Sequence, residues 1–319
     1  MMRTYRFAVY AVGILVVVAI FLRTGKDSTP LTAGELRQSL RYFQAGQVGL
    51  QIKEPVELEE PDEKEHSETT EEVVIDSKTC SLKISPDAKE IYRYMETITA
   101  KCEMPVMVGG TAKTKKPYIM NEKWMCLDAR YNIVPGKCTV YSFGIDTDWS
   151  FDDDMDKRFN CKVYSFDHTI NQKDHERSSN IKFYATGISS VKKNNVDRYI
   201  NILKRLGHEN ATIDYLKMDV EGAELQFFED IFTKTPQVLN NIKQIGMEIH
   251  TKRNEYKMRL YFKYVQLLEC FGFRLIFGHI LDVPEKLFTD NGETRSCCYE
   301  LVWAQDKQIS YKIWHPPSV

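Results

Sequence analysis

The chain has 319 residues, 43% hydrophobic and 28% charged, which suits a large globular α/β domain with appendages. Its net charge of −2 is unevenly spread: residues 53–76 hold eleven acidic side chains against two lysines, so the remainder is mildly basic. That basic excess is diffuse and nowhere alternates with aromatic residues, which argues against a nucleic-acid partner.

In chain order, the first predicted element is the uncharged run at residues 7–22, flanked by Arg6 and Arg23. A cleaved signal peptide would show small residues at a cleavage site, and the flank "FLRTGKD" does not. We read residues 1–26 as a signal-anchor transmembrane segment, short enough to suit a thin secretory-pathway membrane. Residues 27–80 follow as an acidic flexible stem, and residues 81–319 as the folded domain. This layout predicts a single-pass type II protein of the Golgi, with its domain in the lumen. Eight cysteines lie outside the anchor and allow up to four disulfides of open connectivity, and no C-x-x-C pair suggests zinc. Asn210 begins the one glycosylation sequon.

The domain is predicted to open with a helix capped by Ser85 that carries Ile91, Met95 and Ile98 on one face and runs to about Lys101. Strands are predicted at residues 139–143, 162–166, 181–186, 213–218, 242–249, 273–277 and 299–304. Helices at residues 196–206, 222–232 and 255–271 separate several of them. Alternation of this kind implies a mostly parallel sheet covered on both faces, with the last two strands as an antiparallel pair at one edge.

Ligands of such sheets bind beyond the carboxyl ends of the strands. The first strand, "TVYSF", runs into Gly144, and the second, "KVYSF", into Asp167, 23 positions later. The near-identical spelling predicts equal registers, which would bring Gly144 and Asp167 together and leave Cys138 and Cys161 at the far end. An acid at this spacing can accept hydrogen bonds from ribose hydroxyls, or simply cap the next turn. Asp219 ends a further strand ahead of Gly222, with Glu221 and Glu224 placed to favour the following helix N-terminus. Glu248 and His250 end the next strand on one side of the sheet.

The set "CTVYSFGIDTDWSFDDDM", "CKVYSFDH", "IDYLKMDVEGAE" and "IGMEIH" resembles the FkbM-type S-adenosylmethionine-dependent methyltransferases. With "KWMCLDARYNIVPGKC" it looks closest to their animal branch called methyltransferase-like protein 24. The resemblance spans about Ile119 to Trp303 and rests on the order of the motifs. One departure is His168, where the family often has proline. It implies a seven-stranded Rossmann-like fold and S-adenosyl-L-methionine as cofactor. On that reading Ser142, Phe143 and Gly144 hold the methionine end, with Asp146 and Trp149 nearby, and Asp167 takes the ribose. Asp219 and His250 are the candidate bases for an oxygen acceptor, with Glu248 as positioning partner. No metal is expected, and the acceptor would be a glycan, a glycoprotein or a small molecule.

Two other readings stay open. The anchored layout and "DTD" at residues 146–148 would also fit a Golgi glycosyltransferase holding a metal-bound sugar nucleotide. A catalytically inactive binding module on the same fold is the other.

Overall fold

The computed structural model describes residue 82 and residues 88–112, 119–251, 254–281, 286–290 and 292–306. The predicted anchor and stem lie outside these residues. The chain divides at Thr70, and every described residue lies in the second unit. Among the described residues no helix is long and apolar enough to cross a membrane.

The first described helix, α1 (Ala88–Glu96), ends before the predicted Lys101, and the predicted cap Ser85 lies outside the described residues. The Thr97 hydroxyl bonds back to Arg93 O at 2.6 Å, and Thr99 and Ala100 donate instead to Leu275 O, so the chain leaves the helix. Next comes an antiparallel hairpin that sequence periodicity did not reveal, β1 (Pro105–Ala112) and β2 (Ile119–Cys126). Then follow β3 (Thr139–Phe143), α2 (Ser150–Phe159) and β4 (Lys162–Phe166). A short β5 (His175–Glu176) precedes β6 (Ile181–Tyr184), and β7 (Gly187–Ile188) pairs with β8 (Val196–Asp197). Helix α3 (Tyr199–Leu206) ends on Gly207 at φ 70° and leads to β9 (Ile213–Met218). Helix α4 (Glu224–Lys234), β10 (Ile242–His250), α5 (Glu255–Cys270) and β11 (Phe273–Ile280) continue the alternation. The hairpin β12 (Leu287–Asp290) and β13 (Glu293–Ser296) precedes the last strand, β14 (Cys298–Gln305).

The main sheet has the order β11-β14-β10-β9-β3-β4-β6-β5. It is parallel from β10 through β6, while β14 is antiparallel to both neighbours. The predicted antiparallel pair is therefore real, with β14 set inside the edge strand β11. The seven long strands match the predicted count, and β5 adds two residues at the other edge.

Alternation along the strands sorts the core into two layers. Tyr141, Phe143, Leu216, Met218, Met247 and Trp303 face α1, α3, α4 and α5. Val140, Val163, Tyr215, Val302 and Ala304 face α2 and the β1–β2 hairpin. On that second face Tyr215 donates its hydroxyl to Trp124 O at 2.8 Å. Gly246 leaves room for it, because a Cβ there would stand 1.9 Å from the Tyr215 hydroxyl.

The two similarly spelled strands lie side by side in equal register, Tyr141 against Tyr164, Ser142 against Ser165 and Phe143 against Phe166. The Phe143 and Phe166 rings stack at 4.5 Å. At the amino ends a disulfide joins Cys138 to Cys161, and a second joins Cys102 to Cys126. Cys270 is also disulfide-bonded.

Candidate functional site

Beyond the carboxyl ends of β3, β4 and β9 opens a cleft of about 430 Å³. Its floor follows from strand pairing. Gly144 N donates to Phe166 O at 2.9 Å and Asp219 N to Phe143 O at 3.1 Å, so three chain segments stay in contact as the sheet ends. Gly144 has φ 78°, and a Cβ on it would stand 1.6 Å from Asp219 O. Only glycine allows this turn. Lys217, buried on the hairpin side of β9, donates to Gly144 O and holds the turn from below.

Asp167 fastens the cleft's rim. Its Oδ2 accepts the N–H groups of Ile145 and Asp146, both at 2.9 Å, and its Oδ1 accepts the N–H of Thr169 at 2.7 Å and the hydroxyl at 2.6 Å. Burial alone would raise its pKa, but the Thr169, Asp146 and Ile145 donors outweigh it and hold the carboxyl below the usual range. Four donors occupy both oxygens, so a ribose hydroxyl meets this carboxylate only by displacing one of them.

Phe143, Gly144, Asp146, Asp219 and Glu248 also line the cleft. Two predicted donor-site residues do not. Ser142 is fully buried on the α2 face, where its hydroxyl bonds to Asp152 Oδ2 at 3.4 Å, and Ser165 bonds the other oxygen at 2.5 Å. The repeated "YSF" thus serves α2 docking through its serines. Trp149 packs outward under Arg177, 4.4 Å from ring to guanidinium, and against Phe183.

At the cleft's far wall lies a buried network of charges. Lys123 of β2, a residue missed in the sequence, is fully buried and pairs with Glu300 of β14 and with Asp219 Oδ2 at 3.5 Å. Burial would discharge Lys123, but Glu300, Asp219 and Glu248 outweigh it and raise its pKa. Burial raises the pKa of Glu300, and the charge of Lys123 opposes that shift. Asp219 is held below the ordinary range because Lys123, Lys217 and His250 outweigh its desolvation.

Glu248 and His250 do share one side of the sheet, with Oε1 and Nε2 3.1 Å apart. His250 is not placed as a base. It is buried away from the cleft surface, and its Nδ1 lies 3.1 Å from Glu224 Oε1. Burial opposes its charge, yet the Glu224 and Glu248 carboxylates push its pKa up to about 10, so the imidazole is already protonated at neutral pH. An isolated lysine inside an otherwise apolar strand, as in "YLKMD", was the signal that could have revealed Lys217. Lys123 gave no comparable cue, because β2 itself was not predicted.

Of the "DTD" motif, Asp146 and Asp148 both line the cleft, and Asp148 Oδ1 also accepts the Ser150 N–H at 2.9 Å at the start of α2.

The model of a family described as a methyltransferase domain matches residues 96–268. No curated protein matches the chain in sequence. Among solved structures, a proposed tRNA methyltransferase of Streptococcus pneumoniae in complex with S-adenosyl-L-methionine is similar at 11% identity and TM-score 0.32, over 57% of this chain and 73% of that one. The fibrillarin pre-rRNA processing protein of Methanococcus jannaschii is similar at 11% identity and TM-score 0.33, over 63% and 89%. At these scores neither likeness carries an argument about this chain. The family match does not single out the FkbM branch, and it leaves the glycosyltransferase reading without support. Because it covers more than half of the sequence, the chain belongs to this methyltransferase-domain family and is an S-adenosylmethionine-dependent methyltransferase.

Proposed function

We propose that this methyltransferase belongs to the FkbM-type branch and methylates a hydroxyl oxygen on a glycan, glycoprotein or small molecule of the secretory lumen. The observation that carries the oxygen acceptor is the pair of carboxylates, Asp219 and Glu248, that face the cleft with buried cations behind them.

The residues present fit the donor. A cleft of about 430 Å³ lies within the range of small-molecule sites. Its wall mixes the apolar Phe143, Phe166 and Ile188 with the acids Asp146, Asp219 and Glu248, a lining suited to an adenosine joined to a cationic sulfur. S-adenosylmethionine, when bound, supplies an electrophilic methyl group on that sulfur. Phe143, Gly144 and Asp146 hold its methionine end, and Thr169, Gly187 and Ile188 its adenosine end. Asp167 positions this rim through the four hydrogen bonds already described. Glu248 accepts the hydroxyl proton, Asp219 orients the hydroxyl and balances the sulfonium, and His250 holds Glu248 in place. Most of the rate acceleration comes from holding acceptor oxygen, methyl and sulfur in line.

Three disulfide-bonded segments in the domain support an oxidising compartment. Asn210 is exposed in the turn before β9, where a glycan would fit.

Calorimetry with S-adenosylhomocysteine, followed by untargeted comparison of methylated products with and without the protein, tests the reading. We expect 1:1 binding and new methyl ethers on luminal acceptors. Glu248→Gln should retain that binding and lose on the order of 10²-fold or more in turnover. Products methylated on nitrogen or carbon, or full turnover by the variant, would refute the oxygen assignment.

A further inference from the structure

His250 Nε2 is buried, on a side chain only 2% exposed, and although it is ion-paired it makes no well-aligned hydrogen bond. The opposite ring nitrogen is committed: Nδ1 lies 3.1 Å from Glu224 Oε1, whose partner oxygen accepts the Tyr261 hydroxyl at 2.9 Å. This fixes the ring and aims Nε2 at three carboxylates from two elements. Glu248 Oε1 is 3.1 Å away, Glu221 Oε1 3.6 Å and Asp219 Oδ1 4.0 Å. Ligand atoms of Asp219, Glu221 and His250 all lie within 4.8 Å of one another.

A histidine whose Nδ1 is held by a carboxylate and whose Nε2 meets converging oxygens has the outer-shell support typical of metal ligands. Lys123 does not fill the role, since it engages the other oxygen of Asp219, Oδ2. We infer that His250 Nε2, with the carboxylates of Asp219, Glu221 and Glu248, binds one divalent cation at the wall of the cleft, the cation displacing the Nε2 proton to solvent. One imidazole among oxygens favours zinc or manganese over calcium or magnesium. Cys298, close to both Glu248 and His250, adds to the preference for zinc.

The site deepens the proposed function, and its role in turnover rests on that reading. A cation here would sit where the acceptor hydroxyl is placed and would make its oxygen more acidic. Metal binding itself needs no methyl donor, so it can be tested alone.

The test uses the untagged full chain, stripped with EDTA and titrated with Zn²⁺ by calorimetry in the absence of donor. One ion per chain is expected. His250→Gln should abolish binding. Glu221→Gln should weaken it at least tenfold, and because that side chain is 72% exposed the change leaves the core intact. Thermal unfolding of the metal-free variants confirms that they are folded. No stoichiometric uptake, or uptake unchanged in both variants, would overturn the site. S-adenosylhomocysteine binding is measured in parallel. Binding of this product without zinc uptake defeats the metal site alone, and zinc uptake without product binding supports the metal site while defeating the donor reading.

Discussion

Asp167 carries an electrostatic load out of proportion to its size. Both its oxygens are filled by donors from two loop segments, Ile145–Asp146 and Thr169, so the carboxylate ties together the two turns that bound the donor cleft. Asn at this position would turn an NH₂ group toward two of those donors and leave them unsatisfied. Hydrogen bonds to a charged group contribute about 1.5–3 kcal/mol each, so Asp167→Asn should cost about 3 kcal/mol at neutral pH. The pH dependence follows from the direction of the shift. The folded carboxyl lies below its ordinary value of about 3.9. Its contribution is therefore complete above that value and fades as pH falls through the lower, folded one. Urea unfolding followed from neutral pH down to about pH 3 checks this, given the carboxylate pKa scale. The wild-type chain should lose stability more steeply than the variant below about pH 4. Parallel curves would show that the carboxylate is not the group responsible.

At the scale of elements, β3 and β4 show what a repeated spelling encodes. Equal register stacks like on like, and the two serines bond one carboxylate of α2. The disulfide from Cys138 to Cys161 then closes the amino ends of the pair across 23 residues. A loop of that length constrains the unfolded chain by about 3 kcal/mol. Replacing both cysteines by serine should lower stability by about that much. Affinity for S-adenosylhomocysteine should stay within about threefold, because the bond lies at the opposite end of the strands from the cleft. Differential scanning calorimetry and a binding isotherm on one preparation test both statements, and a large loss of affinity would mean that the strand ends are coupled. The same elements show how far the sequence could be read. Gly144 and Asp167 were legible because strand alternation and register are local consequences of period two. Ser142 was misread for a related reason: adjacency to the glycine turn places a residue near the cleft, but alternation sends its side chain to the other face. Trp149 depended on where α2 starts, which no periodic signal marks. His250 was legible as a neighbour of Glu248 but not as an imidazolium, since Glu224 reaches it from a separate helix.

The whole domain depends on how the β1–β2 hairpin closes one face of the sheet. Strand β2 reaches three strands through polar contacts: Gln244 pairs with both backbone groups of Cys126 at 2.9 and 2.6 Å, Tyr215 donates to Trp124 O, and Lys123 pairs with Glu300 and Asp219. The lysine links this docking to the chemistry, because its charge offsets the acids that face the cleft. Removing one partner of a buried ion pair leaves an uncompensated charge and costs about 3–5 kcal/mol, whereas replacing both partners with apolar groups is often neutral. Lys123→Met should therefore lower stability by about 3–5 kcal/mol. Adding Glu300→Leu should recover a substantial part of that loss, since the second change removes one stranded carboxylate. Recovery should remain incomplete, because Asp219 keeps its charge and lies 3.5 Å from where the ammonium stood. Urea unfolding of the two single variants and the double variant gives the coupling energy directly. Strict additivity would mean that Lys123 and Glu300 act independently and that the hairpin is held by its other contacts, Gln244 and Tyr215 of the sheet and Ser150, Asp154 and Arg158 of α2.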